Sequence, residues 1–107
     1  MPIIKKKDQP VVEVFKGVFR HTLGCGKDVL MAKFEYANGS KVPSHKHSHE
    51  QVTTILKGKQ KIIISVGNRK EEFIVREGDT FVVPANFEHE HHSLEETVTI
   101  DSWSLTL

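Results

Sequence analysis

Short runs of β-branched and apolar residues, each closed by a turn signal, divide this chain, and no window sustains the 3.6-residue period of a helix. That pattern confines the fold to sheets. Val29 to Tyr36 reads VLMAKFEY and stops at Asn38-Gly39. Gln51 to Leu56 is rich in Val, Thr and Ile, and Gly58 punctuates it. Lys61 to Val66 reads KIIISV and meets Gly67-Asn68, a tight hairpin signal, so Glu72 to Val75 is expected to pair back. Arg76 to Asp79 is a further turn, and Thr80 to Val83 runs into Pro84. Thr97 to Leu107 closes the sequence with an alternating TVTIDSWSLTL, and Val11 to Phe19 alternates loosely near the start. Many short strands of this kind predict an all-β sandwich or barrel, and a jelly roll is one way such strands avoid open edges.

The remaining bulk properties narrow the function. A length of 107 residues gives one domain, read as residues 1–107 with a polar tail over 1–10. The formal net charge of +1 offers nothing to nucleic acid or an acidic membrane, and Lys5-Lys6-Lys7 reads as a solvated tail. A single cysteine, Cys25, excludes an intrachain disulfide and fits a reducing compartment. No apolar stretch approaches the roughly 20 residues of a membrane helix, and no signal segment opens the chain. The expected location is the cytoplasm. Met31, Phe34, Ile55, Ile62, Ile64, Phe73, Phe81 and Val83 are the core candidates.

Six of the seven histidines fall in two clusters, His45, His47 and His49 in one and His89, His91 and His92 in the other. The first cluster alternates, with Gln51 on the same parity, and an extended strand would turn such residues to one face. His45, His47, Gln51 and His89 therefore form a provisional metal-ligand set. Three imidazole nitrogens and one amide oxygen suit Fe, Mn, Ni or Zn, whereas Ca and Mg favour more oxygen. A neutral Gln51 in place of a carboxylate leaves the site one charge more positive, which favours an anionic substrate. His49 is expected beside the ligands or at the pocket rim, His91 at the pocket mouth, and His92 and Glu50 outward. Cys25, between two glycines, reads as an inert loop thiol.

These residues carry a resemblance. The sequence is similar to the small single-domain cupins, whose first motif is G-x5-H-x-H-x3-E-x6-G. Here it reads Gly39, His45, His47, Gln51 and Gly58, over residues 39–58. The second motif, G-x5-P-x-G-x2-H-x3-N, reads Gly78, Pro84, Asn86, His89 and Ser93, over 78–93. Asn86 replaces a glycine, and Asn also visits positive φ. The resemblance implies a double-stranded β-helix (jelly-roll) barrel. The HxHxHEQ run, the PAN-x-x-H segment and the last strand further resemble the KdgF-like pectin-degradation cupins, which open the ring of 4,5-unsaturated uronate sugars. That branch carries Asp-x-Phe facing the metal where this sequence has Asp101-Ser102-Trp103, and it continues into a Pro- and Arg-containing tail where this sequence ends at Leu107.

The resemblance implies Asp101 as general base and Trp103 as a core or sugar-facing residue, with both inward by strand parity. It also implies a homodimer, for which Val11 to Phe19 is a candidate pairing strand. Three functions stay open on the sequence. One is uronate ring opening, one is a metal-dependent dioxygenase acting on a small diol or diketone, and one is a non-catalytic module binding a sugar acid.

Overall fold

The computed structural model describes residues 3–105 and contains ten strands and one short 3-10 turn, Lys6–Asp8, in the exposed N-terminal tail. The strands are β1 Val11–Phe15, β2 Val18–Cys25, β3 Val29–Tyr36, β4 Lys41–His45, β5 Gln51–Lys57, β6 Lys59–Val66, β7 Arg69–Arg76, β8 Thr80–Val83, β9 His89–Ser93 and β10 Thr97–Ser104. They form a six-stranded sheet, β1-β2-β3-β10-β5-β8, facing a four-stranded sheet, β4-β9-β6-β7. Every pairing is antiparallel. The expected all-β jelly roll is the observed fold. No helix among the described residues is long and apolar enough to cross a membrane.

Turn chemistry explains much of the path. Lys16-Gly17 splits the single run expected over Val11 to Phe19 into β1 and β2, with Gly17 at φ 76°. The motif glycines Gly39, Gly58 and Gly78 all have positive φ, and Asn86 takes the left-handed conformation expected of it, at φ 67°. At Gly58 a side chain would also collide, since a β-carbon there would lie 2.4 Å from the Glu96 carbonyl oxygen.

Ile55, Ile62, Ile64, Val75 and Val83 fill one end of the sandwich, and Phe81 packs against them. Val18, Tyr36 and Val42 form a second cluster, with Phe34 beside it. Two core expectations fail. Met31 is exposed because its register opposite Ser102 puts it on the outer face of the six-stranded sheet. Phe73 is exposed because β7 is an edge strand, and it lines an open cleft with Val82. Cys25 is exposed, and it ends β2 rather than sitting in a loop. The strand end expected at residues 106–107 lies outside the described residues.

Candidate metal centre and adjoining cavity

The three histidines arrive from different places. His45 closes β4, where a register shift opposite β9 breaks the alternation between Val42 and His45. Without that irregularity the three-residue separation would send the two side chains to opposite faces. His47 and His49 lie in the loop between β4 and β5, so the alternating cluster is not one strand, contrary to the sequence expectation. The loop is pinned where the Asn86 amide donates to the His47 carbonyl at 2.7 Å. His89 begins β9 and is buried, and Gln51 begins β5 and is buried.

Ligand-capable nitrogens of His45, His47 and His89 lie within 4.8 Å of one another. Their hydrogen bonds fix the tautomers. His45 Nδ1 contacts the Pro43 carbonyl at 3.0 Å, His47 Nδ1 the His49 carbonyl at 2.7 Å, and His89 Nδ1 the Phe87 carbonyl at 2.9 Å. Carbonyl oxygens only accept, so each Nδ1 carries the proton and each neutral ring keeps its Nε2 lone pair bare. His89 Nε2 is buried with no hydrogen-bond partner among the described residues. Burial holds the His89 imidazole down to a pKa of about 4 and the neighbouring His91 to about 3, so neither supplies a cation of its own at neutral pH.

Gln51 completes the set through an amide whose orientation is chemically determined. Its Nε2 donates to Asp101 Oδ2 at 2.9 Å and to Thr53 Oγ1 at 2.8 Å. Its Oε1 accepts from the Trp103 indole at 3.1 Å and stands 3.0 Å from His47 Nε2. An indole N–H only donates and a carboxylate accepts, so the reversed amide would lose both bonds. A His47 ring carrying only its Nδ1 proton would turn an Nε2 lone pair toward Gln51 Oε1, and a cation held by both atoms would bridge that 3.0 Å. The residues present therefore fit a divalent transition metal: convergent neutral acceptors, one of them an orphaned buried nitrogen.

Beside the histidines lies a cavity of about 280 Å³, whose lining includes His45, Gln51, His91, Asp101, Trp103, Tyr36 and Arg20. Asp101 is 2% exposed. Its Oδ2 accepts from Gln51 and from Thr53 Oγ1 at 2.8 Å, and its Oδ1 accepts from Thr99 Oγ1 at 2.6 Å. Burial raises its pKa to about 6, with the three hydrogen bonds pulling the other way. Tyr36 is buried against Thr99 and Gln60, and burial drives its phenol well above the usual range. Trp103 is half-buried and sits edge-on to Phe34 at 6.0 Å.

The structure brings His45, His47, Gln51, His89, Asp101 and Trp103 together. His49 supports His47 through its carbonyl and lines a second cavity. Two expectations are corrected. His91 is buried at 4% exposure rather than at a mouth, because β9 is the interior strand between β4 and β6. His92 is half-buried and pairs with Glu90 at 2.7 Å rather than standing free. Sequence reading missed Arg20, Tyr36, Thr53 and Thr99. Their signal was the inward parity of β2, β3, β5 and β10, which needs the register to be read.

A two-sheet jelly roll with histidines converging from the β4–β5 and β9 segments is the arrangement of a cupin. The sequence matches the Cupin domain family over residues 32–101, and the chain belongs to that family. Among curated proteins, none matches it. Its fold is similar to that of KdgF from Halomonas sp., with a TM-score of 0.85 and 20% identity over 100% of this chain and 96% of that one. It is also similar to an RmlC-like cupin from Shewanella frigidimarina, with a TM-score of 0.79 and 21% identity over 97% and 90%. A Bacillus subtilis oxalate decarboxylase matches with a TM-score of 0.84 and 17% identity, over 94% of this chain and 28% of that one.

Proposed function

We propose that this cupin holds a divalent transition metal through His45, His47, Gln51 and His89 and opens the ring of 4,5-unsaturated uronate monosaccharides. The observation that carries the reading is the placement of one buried carboxylate, Asp101, in the cavity that adjoins a wholly neutral donor set. Such a set leaves the full charge of a divalent ion available to an anionic sugar. When bound, the metal supplies Lewis-acid polarisation of substrate oxygens.

The chain's own residues do the rest. Asp101 takes the proton of the anomeric hydroxyl as general base. The C1–O5 bond breaks, C1 becomes an aldehyde, and the electron pair passes to the ring oxygen as an enolate. A proton returned to C4 yields the ketone, so the reaction is an isomerisation with no other reactant. Thr53, Thr99 and Gln51 hold the carboxylate in place. Trp103 holds Gln51 and offers a ring face to the sugar. Similarity of fold to KdgF supports this reading, and that protein's activity is brought to this chain only as part of the proposal.

The test is loss of the enol-ether absorbance of the lyase-generated monomer on metal-replete protein, against a no-protein control. Acceleration abolished by His47→Ala is expected. His89→Ala should also leave the purified protein without stoichiometric metal by elemental analysis; full metal content in that variant would overturn the ligand set. The same donor set is compatible with a second reading, a metal-dependent dioxygenase, which predicts oxygen uptake with Fe and none with Zn.

We also propose that the protein is a homodimer paired through β1, an edge strand exposing Val11, Val12 and Phe15. Sedimentation showing a monomer at micromolar concentration would remove that proposal.

A further inference from the structure

Arg20 is the one cation that lines the Asp101 cavity, and sequence reading gave it no role. It lies on β2 with the inward parity of Val18, which is fully buried. Its register partner on β3 is Phe34, whose own partner on β10 is Thr99. Arg20, Phe34 and Trp103 also line the second cavity, beside His47 and His49. Arg20 therefore borders both cavities. Among the described residues it has no ion-pair partner: the five salt bridges all involve other cations.

An inward, half-buried guanidinium without a counter-ion is costly unless something supplies one. Asp101 is the only carboxylate in the cavity lining, and it is engaged by Thr53, Thr99 and Gln51 instead. Two interstrand spacings and two residues along the strand put the α-carbons of Arg20 and Asp101 about 12 Å apart. The cavity of about 280 Å³ that both residues line is also lined by Phe34 and Trp103.

We infer that Arg20 is the carboxylate-recognition residue of this site, binding the acid group of a small sugar acid while the sugar ring lies between it and Asp101. A planar guanidinium meets a carboxylate through two parallel hydrogen bonds, which fixes orientation as well as charge. The inference deepens the ring-opening reading, since it names what distinguishes a uronate from a neutral sugar. It survives without that reading as a site for another small carboxylate.

The test uses galacturonate and its uncharged methyl ester as probes, titrated calorimetrically into metal-replete wild type, Arg20→Gln and Arg20→Lys. Wild type should prefer the acid. Arg20→Gln should weaken acid binding roughly 10- to 100-fold and leave ester binding unchanged. Arg20→Lys should retain part of the preference. Metal content and the thermal midpoint of both variants should match wild type, which separates lost recognition from lost folding. Acid preference persisting in Arg20→Gln, or absent from wild type, would overturn the inference. Arg20-dependent acid binding without ring opening would leave Arg20 standing and remove the ring-opening function. Ring opening with unchanged kcat/KM in Arg20→Gln would do the reverse.

Discussion

Two parts of the interior share strand β5 but have opposite chemistry. Around Ile55, Ile62, Ile64, Val75 and Val83 the inner faces are apolar. Further along β5, and on its neighbour β10, the inward residues are Gln51, Thr53, Thr99 and Asp101, all buried and joined by hydrogen bonds. On the facing sheet, Gln60 donates to Ser93 in the same polar half. The first part contributes cohesion that depends on area and shape. The second holds a buried carboxylate whose raised pKa opposes folding. A jelly roll can carry this division because register fixes which residues face inward independently of their polarity.

The sharpest way to break the comparison is Asp101→Asn. Asparagine keeps an acceptor for Gln51 and Thr53, and Thr99 can rotate its hydroxyl to accept from the new amide. The fold and metal content are expected to stay while ring opening falls about 100- to 10,000-fold, the usual worth of a general base. Normal activity in this variant would end the proposed mechanism. In the apolar part, Ile62→Ala, a 1% exposed position, should cost about 2–5 kcal/mol of stability by urea denaturation. Its activity per folded molecule should be unchanged. A variant that instead lost metal with little loss of stability would show that the two parts are one cooperative unit.

A smaller effect sharpens the same contrast through pH. The Asp101 carboxyl rises from 3.8 to about 6 on folding. Between those values the native state binds more protons than the unfolded chain, so stability falls as pH rises through that window. Above it the penalty is complete, and the rise of about two units corresponds to about 3 kcal/mol. In metal-free protein, Asp101→Asn lacks this penalty. Its melting temperature should therefore pull above that of wild type between pH 4 and 6.5 and stay above it. Parallel pH profiles would mean that hydrogen bonding already cancels desolvation.

The division was only half legible in the sequence. The bounds of β3 and β8, the positive φ of Asn86 and the ligand spacing follow from local chemistry that a short window contains. The polar half was hidden, because Thr53 and Thr99 in an alternating run read as readily outward as inward. Arg20 was hidden for the same reason. A one-residue difference in register decides whether it or Phe19 faces the cavity. Met31 was misplaced by the converse error, an apolar residue on the outer face. The bulge that lets Val42 and His45 share a face has no sequence signal stronger than Pro43.

Trp103→Phe is the gentlest intervention and tests how the two halves of the site are joined. The indole donates one hydrogen bond to Gln51 Oε1, while Asp101 and Thr53 hold the other end of the same amide. Phenylalanine keeps an aromatic face against Phe34 but removes that donor. If Asp101 alone fixes the amide, Oε1 still points at His47 Nε2, and only a neutral hydrogen bond worth about 0.5–1.5 kcal/mol is lost. Metal affinity, measured by competition with a chromophoric chelator, should then change by less than about tenfold. A loss beyond about a hundredfold would place the indole, rather than the carboxylate, in control of the amide. Asp101→Asn would then be expected to leave metal affinity nearly untouched. The paired measurement thus decides which buried donor or acceptor orients the neutral oxygen opposite His47.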